Sequence, residues 1–216
     1  MKKKDKVMFI DAQLNRLYPE PEPPLHFDSV YQLLVAVILS AQCTDERVNI
    51  VTKDLFADAS GPHEILALGE EKLKGYIRTC GLFNSKAKNI IKMTADLLEH
   101  HDGEVPREFD ELVKLAGVGN KTAGVVVAQA FGTPAFPVDT HIERLAHRLG
   151  LTKAKTADKI SADLKKLFPI ERWADLHLQI IFHGRQVCPA RKPRCGECEL
   201  LEVCPEGKRS LKRLDK

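Results

Sequence analysis

The chain has 216 residues, of which 44% are hydrophobic and 29% charged, the composition of a soluble globular protein with a real core. Its net charge of +3 does not by itself announce a nucleic-acid binder. No apolar run reaches the ~18 residues of a membrane span, and Asp11 and Arg16 interrupt the stretch a signal peptide would need. The expected location is intracellular, and the six cysteines then point to metal or redox chemistry rather than a disulfide scaffold. Basic residues cluster at Lys2–Lys6, Arg191–Arg194 and Lys208–Lys216, the terminal two clusters reading as solvated tails.

Helical periodicity dominates from the N-terminus onward. After a first helix, Pro19 to Pro24 breaks the chain as a crossing linker. Val30, Leu33, Leu34, Val37, Ile38 and Ala41 share helical spacing, and Val35 and Leu39 fill the other side, so this helix is predicted to be buried all round. Thr44 caps the next helix, with Val48, Val51 and Leu55 inward. Gly61-Pro62 opens a short helix, Gly81 ends another, and Ser85 is expected to cap a long one bearing Ala87, Ile90 and Leu97.

The segment Leu115-Ala116-Gly117-Val118-Gly119-Asn120-Lys121-Thr122-Ala123 follows Phe109, Leu112 and Val113 and precedes a helix to Phe131. It reads as helix, tight glycine turn, helix. Gly117 and Gly119 permit positive φ and close backbone approach. The second helix offers unpaired N–H groups as a phosphate seat, and its dipole helps keep the Lys121 amine neutral and nucleophilic. A second break, Thr133 to Pro137, implies two helical lobes: 25–133, and 1–24 with 134–216. Later helices are expected at about 139–149, 156–168 and 171–184, and no segment has the period of a strand, so the fold is all-α.

Val138-Asp139-Thr140-His141-Ile142-Glu143 follows the second break. Asp139 or Thr140 suits a helix cap, Thr140 with Glu143 fitting a capping box. The 11-residue helix 121–131 travels ~16 Å, and the seven steps to Asp139 span up to ~24 Å, so Asp139 is able to face Lys121 across a cleft between the lobes. A carboxylate at a helix start stays ionised, fit to accept a proton or stabilise a cation.

Cys188, Cys195, Cys198 and Cys204 place four thiols within 17 residues as C-x6-C-x2-C-x5-C. Such thiols bind zinc or an iron–sulfur cluster. Only one C-x2-C pair occurs, which tilts the reading to [4Fe–4S] without deciding it. Arg191, Lys192 and Arg194 make a basic loop suited to phosphate, while Cys43 and Cys80 read as buried small residues.

LAGVGNKTA, then VDTH, then the four-cysteine spacing resemble the endonuclease III family, the bifunctional DNA glycosylases and abasic-site lyases of the helix-hairpin-helix superfamily. The resemblance runs from about residue 25 to 205 and includes LSAQCTD at 39–45, GLFNSKAKNI at 81–90 and ARKPRC at 190–195. It implies two all-α lobes around a DNA-binding cleft, with the helix-hairpin-helix at about 108–131 and a C-terminal iron–sulfur loop. It implies Lys121 as Schiff-base lysine, Asp139 as catalytic aspartate, and Cys188, Cys195, Cys198 and Cys204 as [4Fe–4S] ligands. Gln42 matches a residue that enters the space left by the extruded nucleotide, and Leu82 a wedge into the opposite strand. Gly117, Val118 and Gly119, with Arg191, Lys192 and Arg194, would contact DNA. Ala116 stands where the family has proline and Asn120 where it has arginine; the first loosens the turn and the second removes a positive charge near the phosphate.

The expectation is therefore a base-excision repair enzyme removing oxidised pyrimidines from damaged duplex DNA and then cutting the strand. It would work as a cytoplasmic monomer, nucleoid-associated in a bacterium. One alternative is an adenine-mismatch glycosylase, disfavoured by Lys121, by Gln42 and by the short C-terminal part. Another is a non-catalytic DNA-binding module with structural zinc, which gives Lys121 and Asp139 no joint role.

Overall fold

The computed structural model describes residues 2–214 and is helical, with no strand among the described residues. The chain folds as two compact units, Pro23–Thr133 and Met1–Glu22 with Pro134–Lys216. No helix among the described residues is long and apolar enough to cross a membrane.

The Pro23–Thr133 unit is organised by α2 (Val30–Ser40), whose residues from Tyr31 to Leu39 are all buried. Burying each such leucine is worth about 1.5–3 kcal/mol, and Leu34→Ala is expected to destabilise by about 2–5 kcal/mol in a denaturant titration. Ser29 caps α2 by accepting from the Gln32 N–H. Around α2 pack α3 (Asp45–Asp58), whose Thr44 cap accepts from the Arg47 N–H, then α6 (Phe83–His100) and α8 (Asn120–Phe131). Two short helices, α4 (Pro62–Leu68) and α5 (Glu70–Ile77), lean on α6, and a single turn, α7 (Phe109–Leu112), precedes the glycine hairpin. Ser85 does not cap α6: the helix begins two residues earlier, and Leu82 occupies the cap position in the left-handed region with no side-chain cap bond.

The second unit joins α1 (Lys3–Leu17) to α9 (Thr140–Arg148), α10 (Ala157–Leu167), α11 (Trp173–Gln186) and α12 (Pro205–Leu214). Its core is built from Ile10, Leu14, Phe136, Ile142, Leu164 and Leu176, all 1% exposed or less. Helix α11 lies on α9, and α1 on α11. Gly184 is what allows the first contact: a Cβ there would stand 3.0 Å from His141 Nδ1 and 3.1 Å from Arg144 Nη2.

Candidate active site and cysteine loop

The hairpin glycines are not equivalent. Gly117 adopts φ +79°, and a Cβ on it would sit 2.9 Å from the Asn89 Cβ. Gly119 instead has extended backbone, φ −95° and ψ 176°, and nothing lies within 4 Å of its would-be Cβ. The expected need for positive φ therefore holds for Gly117 and not for Gly119, which faces open space at the start of α8. Gly117→Ala meets both a strained φ and a collision, and is expected to cost about 1–3 kcal/mol of stability, measurable by thermal unfolding. Gly119→Ala is expected to leave stability within about 1 kcal/mol. Val118 is buried, its N–H bonding to Leu115 O at 3.1 Å, and so fixes the turn. The cap residue Gly119 brings no side chain to the start of α8, whose N-terminal end is the kind of place that seats a phosphate. Lys121 lies on that first turn with its side chain exposed.

In the same unit, Gln42 and Leu82 come together. Both are exposed, and both hold left-handed backbone, φ 55° and 58°. Non-glycine residues in this region carry strain that surrounding structure must sustain. The restraint is a contact: a Cβ at Gly81 would lie 2.9 Å from Gln42 O, so the two loops touch through a glycine. Beneath them Lys86, 5% exposed, donates from Nζ to Leu39 O at 2.7 Å and closes the C-terminal end of α2. Burial lowers its pKa, opposed by the nearby Cys80 and Cys43. Leu82 is 58% exposed, an apolar side chain offered to solvent beside Gln42.

Asp139 lies in the other unit. It is the cap of α9, its Oδ1 accepting from the N–H groups of His141 at 2.9 Å and Ile142 at 2.8 Å. Thr140 is the first helical residue, so the Thr140–Glu143 capping box does not form. His141 is pushed below its usual pKa by burial, which outweighs the pull of Asp139. The helix that carries Asp139 is tied to the cysteine loop by two arginines. Arg144 bonds Cys188 O at 3.2 Å, Gly184 O at 3.0 Å and His141 Nδ1 at 3.0 Å. Arg148 donates to Pro189 O at 2.8 Å, Ala190 O at 2.9 Å and Cys188 Sγ at 3.1 Å. The sequence reading missed both; their i, i+4 spacing on one helix face was the available signal.

Cys188, Cys195, Cys198 and Cys204 line one cavity, together with Arg148. Among the described residues no three His, Cys, Asp or Glu side chains converge as a single metal ion requires. Zinc–sulfur bonds of ~2.3 Å would bring thiolates to about 3.8 Å from one another. The four thiols instead surround a space, and polar hydrogens point at its sulfurs: the Gly207 N–H reaches Cys204 Sγ at 3.2 Å, besides the Arg148 bond. A Cβ at Gly207 would come 3.5 Å from that sulfur and 3.0 Å from the Leu201 Cδ1. Such hydrogen bonds to sulfur suit a multi-atom thiolate cluster. Burial pushes the Cys198 thiol up to about 11. Of the basic loop, Arg191 and Lys192 are exposed, Lys192 with φ 52°. Arg194 is engaged within the protein, donating to Gln186 O and pairing with Glu197 at 3.6 Å.

Residues 35–170 match the family model of HhH-GPD superfamily base excision DNA repair proteins. Endonuclease III of Haemophilus influenzae is 49% identical over 93% of this chain and 95% of its own length. The chain belongs to the endonuclease III family. Endonuclease III of Bacillus subtilis is 45% identical over 96% of this chain and 95% of its own. A solved non-covalent endonuclease III–DNA complex is 43% identical, covers 98% of this chain and superposes with a TM-score of 0.94. A trapped endonuclease III–DNA covalent intermediate matches with the same score, identity and coverage. As an endonuclease III, the chain is a base excision repair enzyme, a DNA glycosylase and abasic-site lyase.

Proposed function

We propose that this chain removes oxidised pyrimidines from duplex DNA, with Lys121 as the covalent nucleophile and Asp139 as the carboxylate that assists it. The observation that carries this is the exposed lysine on the uncapped first turn of α8, next to a glycine with open space before it. The hairpin N–H groups take a phosphate without reading sequence. The damaged nucleotide leaves the stack, since its sugar carbon is unreachable within the duplex. Oxidation weakens pyrimidine stacking and lowers the cost of extrusion. Gln42 fills the space vacated and Leu82 enters the opposite strand.

The neutral Lys121 amine attacks C1′ and displaces the base. Asp139 assists proton transfer and stabilises positive charge at the sugar. The sugar ring then opens: the C1′–O4′ bond breaks and O4′ takes a proton. C1′ and the lysine nitrogen become a protonated imine that acidifies the 2′ proton, so that β-elimination breaks the strand on the 3′ side. Cys188, Cys195, Cys198 and Cys204 would hold a [4Fe–4S] cluster, which would pin the two ends of the Arg191–Lys192 loop, while Arg144 and Arg148 tie that loop to α9. Those two side chains then reach phosphate, while Arg194 supports the loop. The enzyme would act as a monomer on damaged duplex DNA, in the cytoplasm and at the nucleoid of a bacterium.

Borohydride trapping tests the reading. Incubated with a thymine glycol duplex and then borohydride, the protein is expected to form a covalent complex; binding without trapping would leave a monofunctional glycosylase. Purified protein is expected to be brown with iron and sulfide in equal amounts, whereas a colourless protein with one zinc would overturn the cluster assignment. Leu82→Ala is expected to keep its melting temperature, since the side chain is largely exposed. It should weaken binding to damaged duplex by about 1.5–3 kcal/mol, the worth of burying one leucine side chain. Unchanged affinity would return Leu82 to an ordinary exposed residue.

A further inference from the structure

The loops that carry Gln42 and Leu82 also hold the two cysteines outside the C-terminal loop. Cys43 follows Gln42, Cys80 precedes Gly81, and the two thiols lie close enough to influence one another. Their backbones are in contact, since a Cβ at Gly81 would stand 2.9 Å from Gln42 O. Cys80 is 2% exposed and Cys43 is half-buried, so a small oxidant meets Cys43 first. Lys86, fixed by its bond to Leu39 O at 2.7 Å, places a positive charge beside both thiols. Arg47 adds a second near Cys80. At Cys80 burial outweighs both charges and pushes the thiol up to about 12, so the half-buried Cys43 is the thiol that attacks and Cys80 the one that follows.

We propose that Cys43 and Cys80 are an oxidant-sensitive pair, converted by a hydroperoxide into a disulfide that ties the Gln42 loop to the Leu82 loop and weakens engagement of DNA. The consequence for DNA rests on the roles given above to Gln42 and Leu82. The Cys43 thiolate attacks the peroxide oxygen, the O–O bond breaks, and Cys43 sulfenic acid and water form. Cys80 sulfur then attacks the sulfenic sulfur, and the hydroxyl leaves as water with the Cys80 proton. Two thiols lose two electrons and two protons, and one hydrogen peroxide becomes two waters. A sulfur–sulfur bond of ~2.05 Å draws the loops closer than thiol contact allows. Gln42 and Leu82, each one residue or two from a bridged cysteine, then lose their freedom to part around a duplex. Reducing compartments use such transient disulfides for sensing.

The pair is read by peptide mapping on the cluster-containing full chain after brief treatment with hydrogen peroxide. Trypsin leaves Cys43 in residues 17–47 and Cys80 in residues 79–86. A single cross-linked species is expected, two hydrogens lighter than its parts and separated by dithiothreitol. Affinity for a duplex with a non-cleavable abasic analogue should fall about tenfold, the loss of one apolar contact, and recover on reduction. Cys43→Ser and Cys80→Ser should each keep their affinity in peroxide. Both thiols remaining open to alkylation would overturn the pairing, whatever the reduced enzyme does on thymine glycol. A disulfide that leaves affinity unchanged would overturn the regulation. Equal loss of affinity in both serine variants would place the damage at the C-terminal cysteines and overturn it too.

Discussion

Lys121→Gln is expected to abolish both base release and strand cleavage while leaving damaged-duplex binding in place. Glutamine matches the lysine stem closely enough to stay on the first turn of α8, and Lys121 is exposed, so the fold loses nothing it depends on. What disappears is the only atom proposed to bond to C1′. Without it the route through a covalent imine closes, and the borohydride-trapped complex should vanish with it. Binding should persist because the phosphate seat is built from backbone N–H groups that the substitution does not touch. Two gels read the result, one for trapping and one for mobility shift. A variant that still traps would show that another amine does the chemistry. One that neither binds nor traps, with its melting temperature intact, would make Lys121 a contact to phosphate rather than a nucleophile.

The helices and the hairpin were legible because local pattern and tertiary packing agree there. Helix α2 reads as buried all round and is, from Tyr31 to Leu39. Thr44 reads as a cap and accepts from Arg47. Where sequence reading failed, a long-range contact sets the local conformation. Leu82 and Gln42 hold left-handed backbone because loops some forty residues apart close on each other over Gly81. No neighbour in sequence dictates that, and the cap of α6 is therefore Leu82 rather than Ser85. Lys86, which no local pattern singles out, is buried under the same loops, where Leu39 O accepts from its ammonium. Gly119 looked like a second conformational glycine, but its backbone is ordinary; its use is the empty space beside it. Arg144 and Arg148 were invisible as clamps until the carbonyls of residues 184 and 188–190 were in view.

Asp139 carries two roles that one pair of substitutions separates. As the cap of α9 it accepts from two backbone N–H groups through Oδ1 alone. Asparagine caps helices about as well as aspartate, so Asp139→Asn should leave the melting temperature nearly unchanged. Alanine cannot cap, and Asp139→Ala should cost roughly 0.5–2 kcal/mol. In a chain of this size each kcal/mol lowers the melting temperature by about 2–4 °C. The catalytic role depends instead on negative charge. Asparagine neither takes a proton from the amine nor offsets positive charge developing on the sugar. Turnover should therefore fall by about 10²–10⁴ in both variants, the range for losing a positioned acid or base. Single-turnover rates on thymine glycol duplex, set beside thermal unfolding, give the two readouts. Loss of rate in the asparagine variant at full stability assigns the charge to the reaction. Near-normal turnover there, with a loss only in alanine, would leave Asp139 as the start of a helix and nothing more.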